Sequence, residues 1–419
     1  MKNTKVIDFN AVVFLSSQHF AEQINDVNYT GSAGLTNQMK TFYSKALIEL
    51  ASPNLIHDQF AQKRDIPANG GKTVEFRKFL PLSTDIEDVI LFENVIPDGQ
   101  ELNSVDIIAT IMETGGYVKI GDTFSLTSVD PVLNEANEKV SEQAAVIADK
   151  ITREKMMEGC NVIYANGGET RHKLTVDNTL TLLDILKAAA QLKGANAPKV
   201  DGNAYVAIIH PYTSLELLKE KDGFIDIAKY KHTDKIFNGE LGKLGGVRFV
   251  ESTQAKIFRG ANLGATTRTL TATAASNGKV LVSGAVEGKL VGRYIIIDGG
   301  LYYVTANTAT QLTIVDPDDM VTTPDLSFTG NKTVYPGEGG ANGISVFGTV
   351  VVGADAYATT HIDGKGIESI IHGKHEIGGP LDQFSTVGWK LRKTAELLVD
   401  EYMVRLESCS ANFPDAPAN

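Results

Sequence analysis

Cysteine is nearly missing from this sequence. Cys160 and Cys409 are the only two in 419 residues. They lie far apart and in no metal-ligand spacing, so a disulfide framework is excluded and two buried thiols are expected. Long apolar runs are missing too. No stretch of about 18 apolar residues occurs, which excludes a transmembrane helix. The patch Ala11-Val12-Val13-Phe14-Leu15 is short and has no small-residue cleavage site after it, so it is not read as a signal peptide. Folding in a cytoplasm is the expectation. Positive charge is in deficit, with 39 Lys and Arg against 51 Asp and Glu and a net charge of -12. Proteins that grip nucleic acid by its phosphates need basic patches, and this balance argues against one. It leaves room for a container, because a wall that encloses DNA gains from not sticking to it.

Catalytic signatures are missing as well. The sequence holds no P-loop, no Gly-x-Ser-x-Gly elbow, no His-Glu-x-x-His and no Gly-x-Gly-x-x-Gly after a strand. The pair His372 and His375 is flanked by glycine and reads as a solvated loop, since zinc needs three or four ligands. His57-Asp58 reads as a polar pair capping local backbone, with no nucleophile nearby to make a catalytic dyad. Asp316-Pro317-Asp318-Asp319 lacks the spacing of a dedicated calcium loop and reads as an acidic turn. The run from Gly239 to Gly246 precedes a strand instead of opening a helix, so a flexible turn is expected there in place of a phosphate cradle. No catalytic, cofactor-binding or metal-binding residue is assigned.

What the chain does contain is length and mixed patterning. Hydrophobic residues at 42% and charged residues at 21% are the proportions of a globular protein, and 419 residues exceed one ordinary core. Residues 1–35 read as an extended arm, followed by a helix over 37–51 that Pro53 stops. Lys72 to Phe79 alternates like a strand after Gly70-Gly71, and Asp106 to Ile120 is a second strand-like stretch. The pair makes a two-stranded arm with an acidic tip and a Pro97-Asp98-Gly99 turn. A lone ribbon is marginal in water, so it must lie on something. A neighbouring subunit is the preferred support, and its own core is the alternative. A long helix is expected over 131–158, with Asp130 as N-cap, Pro131 at the first position, Gly159 as C-cap and a stripe of Leu133, Ala136, Val140, Ala144, Ile147 and Ile151.

From 175 to 251 the pattern is mixed. A helix spans 182–192, a buried strand 204–209, a short helix opens at His210-Pro211, and a strand follows at 246–251. Residues 259–345 turn Thr-, Gly- and Val-rich, with strands at 279–282, 293–297, 301–304 and 311–315 and a hairpin signal at Asp298-Gly299-Gly300. They read as a small all-β module inserted in the chain, since mixed patterning resumes at 346–360. Strand character is expected at 397–399 and 402–404, and a loose tail after Cys409.

Several blocks in this order resemble a known family. His57-Asp58-Gln59-Phe60-Ala61-Gln62-Lys63-Arg64 and Gly70-Gly71-Lys72-Thr73-Val74-Glu75-Phe76-Arg77-Lys78-Phe79 come first. Asn161-Val162-Ile163-Tyr164-Ala165, Ala207-Ile208-Ile209-His210-Pro211 and 235–242 follow. Next come Gly246-Val247-Arg248-Phe249-Val250-Glu251, Gly353-Ala354-Asp355-Ala356-Tyr357, Thr386-Val387-Gly388-Trp389-Lys390 and Glu407-Ser408-Cys409. Together they span about residues 36 to 410 and resemble the podovirus-type major capsid proteins of tailed bacteriophages. Two stretches depart from that pattern: the tip at 85–93, more acidic and apolar than the family's, and 259–345, which matches nothing in it.

The resemblance implies an α+β, Hong Kong 97-like capsid fold. Its parts would be an N-terminal arm and helix (1–60), an extended two-stranded loop (61–127), a peripheral domain with a long spine helix (128–174 and 376–412) and an axial domain (175–258 and 346–375). The inserted all-β domain would be 259–345. It implies a shell subunit, no enzyme and no cofactor, that self-assembles through hexamers and pentamers into an icosahedral virion capsid. That shell would enclose double-stranded DNA without sequence-specific binding, with portal, scaffolding and decoration proteins as further partners and no membrane. An encapsulin-like compartment subunit, or an enzyme with an unrecognised site, are the competing readings.

Overall fold

The computed structural model describes residues 56–67, 69–80, 82–91, 99–128, 131–200, 202–219, 225–226, 240–264, 266–362, 367–373 and 383–419. The expected arm and helix before residue 52, together with Pro97, Asp98, Asp130, Gly239 and His375, lie outside the described residues.

β1 (Gln62–Lys63) leads into a ribbon of β2 (Thr73–Phe79) and β3 (Ser104–Thr110), antiparallel with Thr73 opposite Thr110 and Phe79 opposite Ser104. The second strand expected over 106–120 is in fact two. The Ile111 amide bonds the Lys72 carbonyl at 2.9 Å, and β2 offers nothing beyond that point to pair with. β4 (Met112–Gly121) therefore takes its ladder from residues 384–393 at the other end of the chain.

α1 (Asp122–Thr127) turns the chain into α2 (Val132–Met156), whose 25 residues span about 37 Å at 1.5 Å each. Its stripe packs as expected. Val140 and Ala144 are buried, and Leu133, Ala136, Ile147 and Ile151 half-bury against Ile120, Val387, Trp389 and Leu391. The ends differ from expectation. Pro131, at ψ 73°, is the N-cap and not the first helical residue, and Met157 closes the helix in place of Gly159. Gly159 serves close approach instead: a Cβ there would sit 2.8 Å from the Met403 methyl and 2.9 Å from an Asp400 carboxylate oxygen.

The central sheet starts with β5 (Val162–Tyr164). α3 (Leu182–Gly194) opens on a reciprocal cap between Thr181 and Asp184, then comes β6 (Tyr205–Ile209), buried at every residue. α4 (Pro211–Lys219) and β7 (Ile225–Asp226) follow, then the hairpin β8 (Glu240–Leu244) and β9 (Val247–Glu251). The glycine-rich run expected as a flexible turn is thus largely strand. Only Gly245 (φ 59°) and Gly246 (φ 91°) form its turn, both in the left-handed region a two-residue hairpin needs. β10 (Ile257–Phe258) ends this half.

Six strands then close into a barrel: β11 (Leu270–Ser276), β12 (Lys279–Ser283), β13 (Tyr294–Ile297), β14 (Gly300–Asn307), β15 (Gln311–Val315) and β16 (Phe328–Pro336), in the order β11-β12-β15-β14-β13-β16. Leu270, Val280, Ile295, Ile297, Val304 and Val334 fill it. The Asp298-Gly299 turn has both residues at positive φ, 54° and 82°, as its residue types signal. β11 and β16 escape the sequence reading, because Leu-Thr-Ala-Thr-Ala-Ala-Ser and the first six residues of β16, Phe-Thr-Gly-Asn-Lys-Thr, carry few bulky apolar side chains.

β17 (Val346–Val352), fully buried, returns to the central sheet. β18 (Tyr357–His361), β19 (Glu368–His372) and the 14-residue β20 (Phe384–Leu397) form a second sheet with β1 and β4, and β21 (Met403–Ser408) ends in the first. The central order is β5-β21-β17-β6-β9-β8-β7, with β10 on β17. One of its faces buries Ile185, Leu192, Ala207, Ile209, Phe249 and Val351 under α3. The other buries Ile56, Met156, Val206, Ile208, Val250 and Tyr357. Of the strand character expected at 397–399 and 402–404, Leu397 ends β20 and 403–404 open β21, while residues 400–402 form a helical turn whose Asp400 carboxylate accepts the Cys160 amide at 3.1 Å.

Two further expectations are corrected. The tail after Cys409 is packed and not loose: Ser410 is fully buried and Ala416 nearly so. Cys160 is exposed, and only Cys409 is a buried thiol, pushed up to about 12 by burial and by the nearby Glu407 carboxylate. One maleimide is therefore expected to react within minutes in native protein at pH 7, the second only after unfolding. Mass spectrometry of the labelled chain reads this, and two fast thiols would contradict the packing at Cys409.

Candidate functional site: a two-stranded ribbon and its buried root

The ribbon's root is set by residues the sequence singles out for another reason. His57 is fully buried. Its backbone amide donates to Asp149 Oδ1 at 2.9 Å, and its ring Nδ1 lies 2.6 Å from Asp149 Oδ2. Asp58 receives the Thr152 hydroxyl and the Lys393 ammonium, and the Tyr357 hydroxyl donates to the His57 carbonyl. Lys393, fully buried, also donates to the Ala148 carbonyl at 2.7 Å. Burial lowers the Lys393 ammonium and raises the Tyr357 phenol well above its usual value. His57-Asp58 is thus neither a local cap nor a dyad aimed at solvent. It is a long-range tie that joins the segment entering the ribbon to the α2 spine and to β20.

The ribbon itself has two unlike parts. On one face near the root, Phe76 and Ala109 are buried with Ala358 and flanked by Val74, Ile107 and Leu398. Here the ribbon lies on its own core, the alternative reading of its support. The opposite face carries Ile108, 65% exposed, beside Arg77, which donates to Asp106 at 2.8 Å and to Glu75 at 2.8 Å. Beyond the root, nothing among the described residues covers the apolar side chains. Phe79, Leu82, Ile86, Val89, Leu91 and Leu102 are all exposed, Ile86 at 77% and Leu91 at 73%. Monomeric proteins rarely leave so many large apolar groups together in water, and such patches mark contact surfaces. The sequence reading places the apolar tip only at 85–93. The Phe79-Leu80-Pro81-Leu82 run is the signal for the rest.

The other singled-out residues do not converge on this surface. His372 ends β19, and Thr386 and Lys390 lie with it around an open hollow of about 350 Å³ that Gly115 and Gly388 also line. Asp316 Oδ1 accepts the Asp318 amide, and Asp319 Oδ1 accepts those of Val321 and Thr322, so these carboxylates serve their own turn. Among the described residues no group of three or more His, Cys, Asp or Glu is placed to hold a metal ion. No described helix is long and apolar enough to cross a membrane.

His210, at the end of β6, is a buried titratable group with a stability consequence. Its Nδ1 accepts the Tyr212 amide at 3.2 Å. Burial pushes the imidazole down to about 4, against a hydrogen bond to the Thr253 backbone that favours the charged ring. Between pH 4 and 6.5 the unfolded chain binds a proton that the folded chain refuses, so stability rises with pH across that window. The group's contribution is complete above about 6.5 and lost on acidification to about 4, about 3 kcal/mol in all. His210→Asn keeps an acceptor for Tyr212 and is expected to flatten the urea midpoint over this window. An unchanged slope would exclude His210 as its origin.

No family model matches this sequence, and no curated protein matches it. Solved structures do. The capsid of Ralstonia phage GP4 aligns over 94% of this chain and 100% of its own, with a TM-score of 0.56 at 10% identity. The cyanophage Pam1 capsid aligns over 91% and 99% with 0.52 at 12% identity, and that of cyanophage P-SCSP1u over 92% and 97% with 0.51 at 12%. The chain has a mixed helix-and-sheet fold that it shares, along nearly its whole length, with the chains of phage capsids.

Proposed function

We propose that this chain is the major capsid protein of a tailed bacteriophage, a structural and not a catalytic protein. Copies of it join as hexamers and pentamers into the icosahedral shell of the virion, around double-stranded DNA. The observation that carries the reading is the ribbon: a two-stranded arm whose outer half leaves large apolar side chains exposed, on a fold shared with phage capsids. In Hong Kong 97-like terms the ribbon lies in the extended loop (61–127), and α2 is the spine helix of the peripheral domain (128–174 and 376–412). The central-sheet strands β6 to β10 and β17 belong to the axial domain (175–258 and 346–375), β5 and β21 extend that sheet from the peripheral segments, and the barrel is an inserted domain (259–345). The ribbon's apolar half docks on a neighbouring subunit, while its root stays on its own core. The net charge of -12 suits an inner wall that repels packaged DNA. Assembly takes place in the bacterial host cytoplasm, with portal, scaffolding and decoration proteins as further partners.

Electron microscopy and sedimentation of the purified chain across a range of salt test this. Closed particles, or rings of five and six, are the expected result. A monomer at every concentration, with and without crowding agent, would overturn it. Native particles that protect protein cargo, and no nuclease-resistant DNA, would move the assignment to a cellular compartment of the same fold.

A further inference from the structure

The barrel is joined to the rest of the chain by two connecting segments, 259–269 going in and 337–345 coming out. Both are gripped by the same short stretch of the tail. On the way in, Arg268 donates to Asp415 Oδ1 at 2.9 Å, and Arg259 bonds the Asp415 carbonyl with its guanidinium 3.6 Å from the Asp415 carboxylate. On the way out, the Ser345 amide donates to the Pro414 carbonyl at 2.8 Å, and the Ser345 hydroxyl to the Ala416 carbonyl at 2.7 Å.

The tail is itself anchored on the core on both sides of this grip. Before it, Ser410 and Asn412 donate to Glu216 Oε1 of α4 at 3.0 and 2.6 Å. Phe413 stacks on Tyr212, with ring centroids 4.0 Å apart at 16°. After it, the Asn419 side chain accepts from Arg153 of α2 at 3.0 Å and from the Ile257 amide at 3.2 Å, and donates to the Thr253 carbonyl at 3.1 Å. Ala416 sits in an apolar cluster with Ile257 and Phe347.

The connectors are in turn fixed to the barrel: Leu263 packs into its apolar interior, Gly264 bridges Ala285, and the Gly337 amide donates to the Tyr294 carbonyl at 2.8 Å. Arg293, just before β13, pairs with Glu338 at 3.0 Å and donates to the Ala261 and Asn262 carbonyls at 3.1 and 3.3 Å. A continuous mechanical path therefore runs from the core through residues 410–419 to both connectors and on to the barrel.

We propose that residues 410–419 are a strap that holds the barrel at one orientation on the core. The exposed Asp415 ion pairs set its register and contribute little on their own. The buried backbone bonds to Ser345 and the Phe413–Tyr212 stack supply the hold. Without the strap, the connectors keep the bond of the Ala341 amide to the Leu174 carbonyl, at 2.8 Å, and the packing of Ile344 against Leu174, Val346 and Cys409, and a barrel held on the outgoing side alone swings.

The test compares the full chain with one ending at Ser410 and with the double variant Phe413→Ala, Asp415→Asn. Hydrogen exchange of the segments 259–269 and 337–345 is followed in each. A spin label on the exposed Cys160 and another at Leu281→Cys on the barrel surface report the distance between core and barrel. Expected are at least tenfold faster exchange in both connectors, retained protection in β6, β14 and β17, and a distance distribution that is narrow in the full chain and broad in the variants. If the shortened chain loses protection throughout, the double variant decides: loss confined to the connectors supports the strap. Unchanged connector exchange with a narrow distance in the double variant would overturn it, and the connectors would then hold the barrel unaided.

Discussion

Replacing residues 81–102 by Asn-Gly is expected to leave a soluble, fully folded subunit that no longer closes into shells. The cut removes most of the exposed apolar side chains and keeps the root intact. Phe76 and Ala109 stay buried against Ala358, and the Leu80 amide still reaches the Asn103 carbonyl, 2.8 Å away in the native ribbon. Asn-Gly supplies the positive φ values that match a two-residue hairpin to the twist of its strands. Because the described apolar side chains among those removed stand in water, the unfolding free energy should move by no more than about 0.5 kcal/mol, as for surface substitutions elsewhere. Assembly should suffer far more. Each large apolar side chain that moves from water into an interface is worth on the order of 2 kcal/mol before the costs of association. The loss of two such anchors is enough to raise the concentration needed for assembly by about a thousandfold. Sedimentation velocity beside a thermal melt reads both quantities. Normal shells from this variant would remove the ribbon from the assembly reaction, whereas a lowered melting point would mean that its tip is part of the subunit's own core.

The second large effect is expected at Asp149, which lies inside the subunit. Asp149→Ala takes away the acceptor for the His57 amide and the contact to its ring, at a histidine with no solvent exposure. A buried polar group left without a partner costs about 1–3 kcal/mol, and here two are stranded. A loss of about 3 kcal/mol or more is expected from the urea midpoint, followed by the fluorescence of Trp389, the only tryptophan. Asp149→Asn keeps an oxygen for the amide and should recover more than half of the loss. An alanine variant within about 1 kcal/mol of the parent would show that water takes over the carboxylate's role and that the tie is not needed to seat the ribbon's root.

Elements whose pattern is local are legible in the order of the residues. The α2 stripe at spacings of three and four, the unbroken apolar run of β6 and the Asp298-Gly299 turn each announce their conformation through side chains next to one another in sequence. The misreadings have a common cause. The stretch 106–120 reads as one strand because both halves alternate, yet its halves find different partners, and nothing at Ile111 declares this. His57-Asp58 reads as local because its partners lie far along the chain, at Asp149, Thr152 and Lys393. The tail reads as loose because Pro, Asn and Asp favour turns, and only the grooves beside α4 and the barrel connectors make that composition bind.

Residue order was thus enough for the helices and strands that carry a strong period, for the exclusion of a disulfide scaffold, and for the resemblance to phage capsid proteins. Three things required the folded chain: where the ribbon divides into a covered root and an exposed tip, which polar groups are buried together, and that the tail spans both barrel connectors. The physical reason is range. Periodicity and turn chemistry act between residues a few positions apart, whereas burial and pairing between residues 57 and 149, or 345 and 416, exist only once the chain has closed on itself.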